Sequence, residues 1–379
     1  LPELEGLRGV AMLMVLAFHT DAIISWAKPA SGVEVSLPLS FVRGGNDFGV
    51  ELFFVLSSFL LSLAFIRAAS GGTPVSVRRY FVRRALRILP LYYAAVLAGT
   101  LANMAQLSDL RHGVPYLFFL NSFHGLTVPL PPFNNVWWSL ATEWQFYLVL
   151  PLIGGLCLTR RGRWVALAIV LGWAAAYGAW LARAWAMGSI GGHLMLAGSL
   201  FGRAGCFIGG AVAAWIFVRY GAPWRARWAD SSLLQRGAGD LLVLAVLLAT
   251  GVMLQWVVWL GITTAQTVPY HGYRVLQALL YSVLVGLVVM TSTHARWLLS
   301  RAPIVRLGVI SYSVYLLHYP VLAYGFRVLR AAEITGLSKY SWQSAVTVVG
   351  LWTLCFVLAE CTYRLIERPF LTRKEGFRA

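Results

Sequence analysis

The stretch EGLRGVAMLMVLAFHT, residues 5–20, decides what kind of protein this is. The ten residues between Arg8 and His19 are all apolar or glycine, and the run continues far enough to cross a bilayer as a helix. A histidine inside such a helix needs a reason, because a polar group in hydrocarbon costs on the order of several kcal/mol unless it finds partners. Eleven residues at 100° each make three turns plus about 20°, so Arg8 and His19 share one stripe about 16 Å apart along the axis. Arginine then marks one edge of the membrane and histidine sits near its middle. Two readings stand side by side here. Arg8 snorkels to headgroups while His19 bonds a neighbouring helix, or the two serve a reaction.

Composition places the rest of the chain in the same class. Of 379 residues, 59% are hydrophobic and 12% charged, about half the charged fraction of a soluble domain, and the mean hydropathy is +0.70. The predicted fold is all-α, a polytopic membrane helix bundle forming a single domain over residues 1–379. A net charge of +17 could suggest nucleic acid, but the basic residues lie between apolar runs rather than in one stripe, so no nucleic-acid partner is expected. Cys157, Cys206, Cys355 and Cys361 show no paired spacing and read as reduced, structural thiols. The chain starts at Leu1 without a methionine or a cleavable signal pattern, so a short native N-terminal piece is expected to be missing and the first helix to act as a signal anchor.

A window of about 19 residues finds ten runs long enough to span: 8–26, 48–67, 88–106, 137–158, 163–183, 200–219, 240–260, 273–292, 307–330 and 342–366. With a cytoplasmic N-terminus, the inside segments collect 22 of the 31 Lys and Arg residues and leave nine outside, as the positive-inside rule requires. Both termini are therefore expected in the cytoplasm. Residues 114–123, VPYLFFLNSF, are apolar but too short to cross; they are followed by PLPPF and read as a re-entrant or interfacial segment on the outer side.

Further polar groups fall inside these runs. Arg78, Arg79, Arg83, Arg84 and Arg87 precede Pro90 in RRYFVRRALRILP. Topology and anionic lipid are one explanation for them; the helical packing of Arg83, Arg84 and Arg87 also suits a phosphate-rich ligand arriving from the cytosol. In NNVWWSLATEWQFYLVLP, Glu143 and Tyr147 share a face with Ser139. Glu143 either pairs with an arginine or orients His19. In GVISYSVYLLHYP, Ser311, Tyr315 and His318 share another stripe. The expected outer loops carry Trp26, Trp137, Trp138, His193, His271 and Tyr273, which would suit a sugar, although interfacial aromatic belts look the same.

Taken in order, LEGLRGVAMLMVLAFH, GVELFFVLSSFLLS, FVRRALRILPLYY, WWSLATEWQFYLVLP, LGVISYSVYLLHYPV and YRLIERP resemble the acyltransferase 3 family of integral membrane acyltransferases over almost the whole chain. Glu5, Ser58 and Trp144 depart from the commoner residues of that pattern. The resemblance implies transfer of an acyl group, commonly acetyl, from acyl-CoA to a hydroxyl of a carbohydrate, glycan or other natural product. It places the protein in a bacterial inner membrane, in contact with lipid, its oligomeric state left open. Arg8 and His19 match the family's essential pair, Arg83, Arg84 and Arg87 its donor-side basic motif, and Glu143 the acid of its tryptophan-containing segment. Some members carry a fused extracytoplasmic esterase-like domain; without one, direct transfer to the final acceptor is expected.

On that chemistry, arginines hold phosphate at the cytoplasmic face while the pantetheine arm carries the thioester toward His19. His19 acts as general base, or as the nucleophile of an acyl-imidazole. Tyr315 or His318 donates to the developing oxyanion. No metal is expected, since the sequence holds no ligand set for one, and neither a phosphate-binding glycine loop nor a Gly-x-Ser-x-Gly elbow. A secondary transporter or flippase would also place His, Glu and Arg inside the membrane, but the ten runs show no repeat of one half in the other.

Overall fold

The computed structural model describes residues 1–26, 45–122, 127–187, 196, 198–231, 237–259, 268–291, 293–331 and 342–375. Among these residues the secondary structure is helical, with no strand. The long helices are α1 (Pro2–Trp26), α2 (Gly45–Ala69), α3 (Val77–Asn103), α4 (Trp138–Leu156), α5 (Arg160–Ala186), α6 (Leu200–Asp230), α7 (Gly239–Trp259) and α8 (Val268–Met290). The short α9 (Ala302–Val309) is followed by α10 (Ser311–Ala331) and α11 (Trp342–Thr362), and a π-helical turn at Tyr363–Glu367 leads into α12 (Arg368–Glu375).

All ten predicted runs fall on helix, the run 307–330 being broken into α9 and α10, which bend by 69°. Among the described residues eight helices are long and apolar enough to cross a membrane, nine if α9 and α10 count as one span. The protein is an integral membrane protein. The predicted run that falls short is α4, whose Glu143 and Gln145 dilute an otherwise apolar helix. Elsewhere the helices outrun the apolar runs: α3 starts at Val77, eleven residues before the predicted 88, because its arginine-rich first turns are helical without being apolar. Large apolar side chains of α5 and α7, among them Leu171, Leu241, Leu248 and Val252, are exposed on the protein surface, which is the surface a lipid-facing helix presents. Hydroxyls within the helices are satisfied locally: Thr20, Thr100, Thr250 and Ser282 each donate to the carbonyl four residues back, at 2.6–2.8 Å. Residues 114–122 form a short helix at Val114–Leu117 and a 3-10 turn at Leu120–Ser122, too short to cross; residue 123 and His193 lie outside the described residues.

The chain divides into two compact units. The first comprises residues 1–11, 47–77 and 142–308, and so holds α2, α5 to α8 and most of α4 and α9. Its closest helix contacts run through small residues. A Cβ on Gly210 of α6 would collide with the Val55 carbonyl oxygen of α2, so only glycine lets the two backbones meet there. Gly308 does the same against the Glu5 carbonyl oxygen of α1. Arg296 pairs with the buried Glu3 at 3.2 Å and holds the same N-terminal turn.

The second unit comprises residues 12–46, 78–141 and 309–379, and is built on the rest of α1, α3, α10 and α11. Tyr312 of α10 donates to the Ile88 carbonyl of α3 at 2.8 Å. Trp352 of α11 donates to Thr20 of α1 at 3.0 Å. Ser313 donates to the buried Glu367, which closes the π turn onto α10. Beside α3, the fully buried Trp137 packs edge-on to Tyr92 and Tyr116, with ring centroids 5.6 and 5.4 Å away.

The backbone approach at Gly308 makes a measurable prediction. Gly308→Val should lower stability by about 1–3 kcal/mol, read as an earlier thermal midpoint in detergent. Gly350→Ala, where a Cβ meets open space on α11, should leave the midpoint unchanged or raise it by up to about 1 kcal/mol of stability.

Candidate active site

Two histidines meet in the second unit. His19 comes from the middle of α1 and His318 from α10; both are buried, and Nε2 of His318 lies 3.0 Å from Nδ1 of His19. Each ring is also held by its own helix. Nδ1 of His318 faces the carbonyl oxygens of Tyr315 at 2.8 Å and Val314 at 3.2 Å. Nδ1 of His19 faces the Val15 carbonyl at 3.0 Å. Phe18 and Tyr319 stand edge-on to the His19 ring, centroids 5.2 and 5.1 Å away. One residue beyond His19, the Trp352 bond to Thr20 pins this part of α1 to α11.

These contacts determine where the protons sit. A carbonyl oxygen only accepts, so Nδ1 of His318 carries a hydrogen and its Nε2 is left as an acceptor. Nδ1 of His19 faces two acceptors, the Val15 carbonyl and that Nε2, and must therefore carry a hydrogen too. A neutral imidazole has one N–H, so the tautomer inferred from this network leaves Nε2 of His19 with its lone pair. Nothing in this chain of bonds requires a charged ring.

The remaining predicted residues distribute as follows. Tyr315 lies three residues before His318, and its phenol donates to the Val136 carbonyl at 2.7 Å and lies 2.5 Å from Ser139 Oγ. The hydroxyl thereby ties α10 to the start of α4, and the Tyr315 carbonyl orients His318. Glu143 belongs to the first unit, where Ser57 of α2 donates to its Oε1. Arg8, also in the first unit, pairs with Glu5 at 3.8 Å. Arg83, Arg84 and Arg87 are half-buried on α3, and Nε of Arg83 is enclosed with no hydrogen-bond partner. The Tyr312 bond to Ile88 puts that arginine-bearing turn beside α10, and His318 follows Tyr312 by six residues, about 9 Å along the helix.

A second polar group in the first unit escaped the sequence reading. Arg203 of α6 and Arg274 of α8 both donate to Oε1 of Glu51 on α2, and the Cys206 thiol donates to Oε2. All four side chains are buried. The available signal was weak: each charge is a lone one near the start of an apolar run, where arginine reads as a topology marker. His271, counted among candidate sugar contacts, is buried next to this group, its carbonyl accepting from Tyr177 at 3.0 Å. Among the described residues no set of three or more His, Cys, Asp or Glu is grouped to hold a metal ion.

Comparison with known proteins adds identity to this geometry. A family described as an acyltransferase domain matches residues 1–360. The peptidoglycan O-acetyltransferase OatA of Listeria monocytogenes is 26% identical over 99% of this chain and 56% of its own length. A protein of Bacillus subtilis named as the putative peptidoglycan O-acetyltransferase YrhL is 25% identical over 100% of this chain and 56% of its own. A putative O-acetyltransferase of Staphylococcus aureus is 22% identical over 100% of this chain and 58% of its own. The chain thus spans little more than half the length of these relatives. No solved structure matches it at a significant level. With the family's match running from the first helix into α11, and the polar residues of its motifs gathered inside the helices, the chain belongs to the acyltransferase 3 family.

Proposed function

We infer that this protein is a membrane O-acyltransferase that moves an acetyl group from cytoplasmic acyl-CoA to a hydroxyl of a glycan. The observation that carries the reading is the buried histidine pair, with ring nitrogens 3.0 Å apart, whose inferred tautomers leave Nε2 of His19 with its lone pair. In the reaction, Nε2 of His19 takes the proton of the acceptor hydroxyl, and that oxygen attacks the thioester carbonyl carbon. The tetrahedral intermediate collapses with cleavage of the C–S bond, and the coenzyme A thiolate leaves with the proton from His19. His318 holds the His19 ring in its tautomer and shares the positive charge that develops, the service a carboxylate gives in other general-base pairs. Tyr315 positions His318 through its carbonyl, since the proton of its phenol is committed to Val136.

Arg83, Arg84 and Arg87 are assigned to the donor phosphates. Support comes from their helical spacing, their partial burial and the enclosed Nε of Arg83. A guanidinium pairs bidentately with phosphate, and the distance of one pantetheine arm is of the order needed to reach from that turn to the histidines. Arg8, on the same helix as His19, completes the donor-binding assignment. Glu143, which accepts from Ser57 within the first unit, is given no step in this reaction. The arginine distribution supports cytoplasmic termini in the inner membrane, and the names of the relatives make peptidoglycan the first acceptor to try.

His19→Ala should abolish acetyl transfer by the purified protein in detergent, with expression and thermal midpoint close to those of the parent; near-normal turnover by a folded variant would refute the base assignment. His318→Ala should lower kcat by about 10- to 100-fold with KM little changed. Restoration of much of that loss in His318→Asn would support a positioning role. Replacing Arg83, Arg84 and Arg87 by Gln should raise KM for acetyl-CoA at least tenfold, with kcat less affected. An unaltered donor KM in all three variants would count against the phosphate assignment.

A further inference from the structure

We propose that Trp352 of α11 is a positioning residue for acyl transfer: by donating to Thr20, its indole N–H holds the turn of α1 that carries His19 in register with His318. The inference rests on the transferase reading above and adds to it a residue that acts through its neighbour rather than on the reacting atoms.

The bond between the two histidines is sensitive to register. The rings belong to separate helices, and Nδ1 of His19 and Nε2 of His318 are 3.0 Å apart, well within hydrogen-bonding range. Moving α1 along its helical path by one residue would shift the His19 ring by about 1.5 Å and turn it by about 100°, enough to break that bond. The contact of His19 with the Val15 carbonyl gives no protection, since both partners are on α1 and move together. A hold on α1 has to come from another helix.

α11 supplies one. Thr20 follows His19 and is buried. Its hydroxyl donates to the Leu16 carbonyl at 2.7 Å, so its proton is committed and only a donor can meet its remaining lone pairs. Trp352 is such a donor, at 3.0 Å, and an indole N–H cannot accept. The residue before it, Leu351, packs on Gly325 of α10, where a Cβ would meet the leucine side chain. Gly325 follows His318 by seven residues and so lies within about 20° of the same stripe. Adjacent residues of α11 thus contact both histidine-bearing helices, and α1 and α10 are set against a common third helix, all within the second unit.

Much of α11 has no such grip. Val346, Val349, Leu354 and Val357 are exposed, and the hydroxyls of Thr353 and Thr362 donate to carbonyls of α11 itself. Lipid tails are as apolar as the helices they surround, so close packing at a small residue and an interhelical hydrogen bond are what fix such a helix in place.

The test uses the full protein in detergent, with acetyl-CoA as donor and a soluble peptidoglycan fragment as acceptor. Trp352→Phe, which keeps an aromatic ring and removes the N–H, should lower kcat by about tenfold or more with KM for acetyl-CoA unchanged. Thr20→Val, which removes the acceptor instead, should lose as much and carries the same test should Trp352→Phe not fold. The double variant should be no worse than either, because all three lack the same bond, and Thr20→Ser should recover most of the loss. Full kcat in a folded Trp352→Phe, or losses that multiply in the double variant, would overturn the proposal. A second readout needs no catalysis: nitrogen NMR of isotope-labelled histidine, with His19→Ala assigning the signal. The parent should show a single tautomer of His19, and Trp352→Phe averaged ring nitrogens; one tautomer in both would overturn the proposal. A parent that transfers no acetyl group would instead refute the transferase reading, and the spectra would still decide whether Trp352 holds the ring.

Discussion

The hydrogen bond from Nδ1 of His19 to Nε2 of His318 is the constraint on which the candidate chemistry depends. In water either imidazole would exchange its proton freely. Inside a helix bundle each ring instead faces backbone carbonyls that only accept, with the rings of Phe18 and Tyr319 edge-on to His19. The proton positions inferred from these partners leave two lone pairs, that of His318 Nε2, which accepts from His19, and that of His19 Nε2, which no bond of this network uses. A pair of neutral rings also avoids the desolvation cost that two buried charges would bring.

The first unit solves the same problem of buried polarity in a different way. There the polar group is charged, and Glu51 binds two arginines and a thiol from two other helices. Such an assembly ties α2, α6 and α8 together near their starts, and Gly210 lets the backbones of α6 and α2 come close.

Much of the fold was legible because the bilayer restricts the options. A chain with runs such as 8–26 and 48–67 can satisfy its backbone only as helices, and each predicted run falls on helix, 307–330 on the two helices α9 and α10. The errors were of extent, and they have a common origin. Hydropathy measures which residues avoid water, while a helix continues wherever its backbone bonds continue, as through the arginines of α3 or the Trp- and Arg-bearing end of α6. The site was legible in part. His19 and His318 stood out because a lone imidazole at mid-helix has no local reason to be there, and Arg83 because its neighbours repeat at helical spacing. Arg203 and Arg274 did not, since a single arginine at the edge of a hydrophobic run is what any topology signal looks like.

By itself, then, the order of residues determined the class of the protein, its helices, its basic edges and the family to which its motifs belong, all of which depend on local pattern and spacing. Only the tertiary structure decided that His19 bonds to His318, that the Tyr315 hydroxyl is spent on Val136, and that Glu51 sits between two arginines 152 and 223 residues away along the chain. Those pairings carry no periodicity. They arise when helices far apart in sequence pack together and each buried polar group must take whichever partner the neighbouring helix presents.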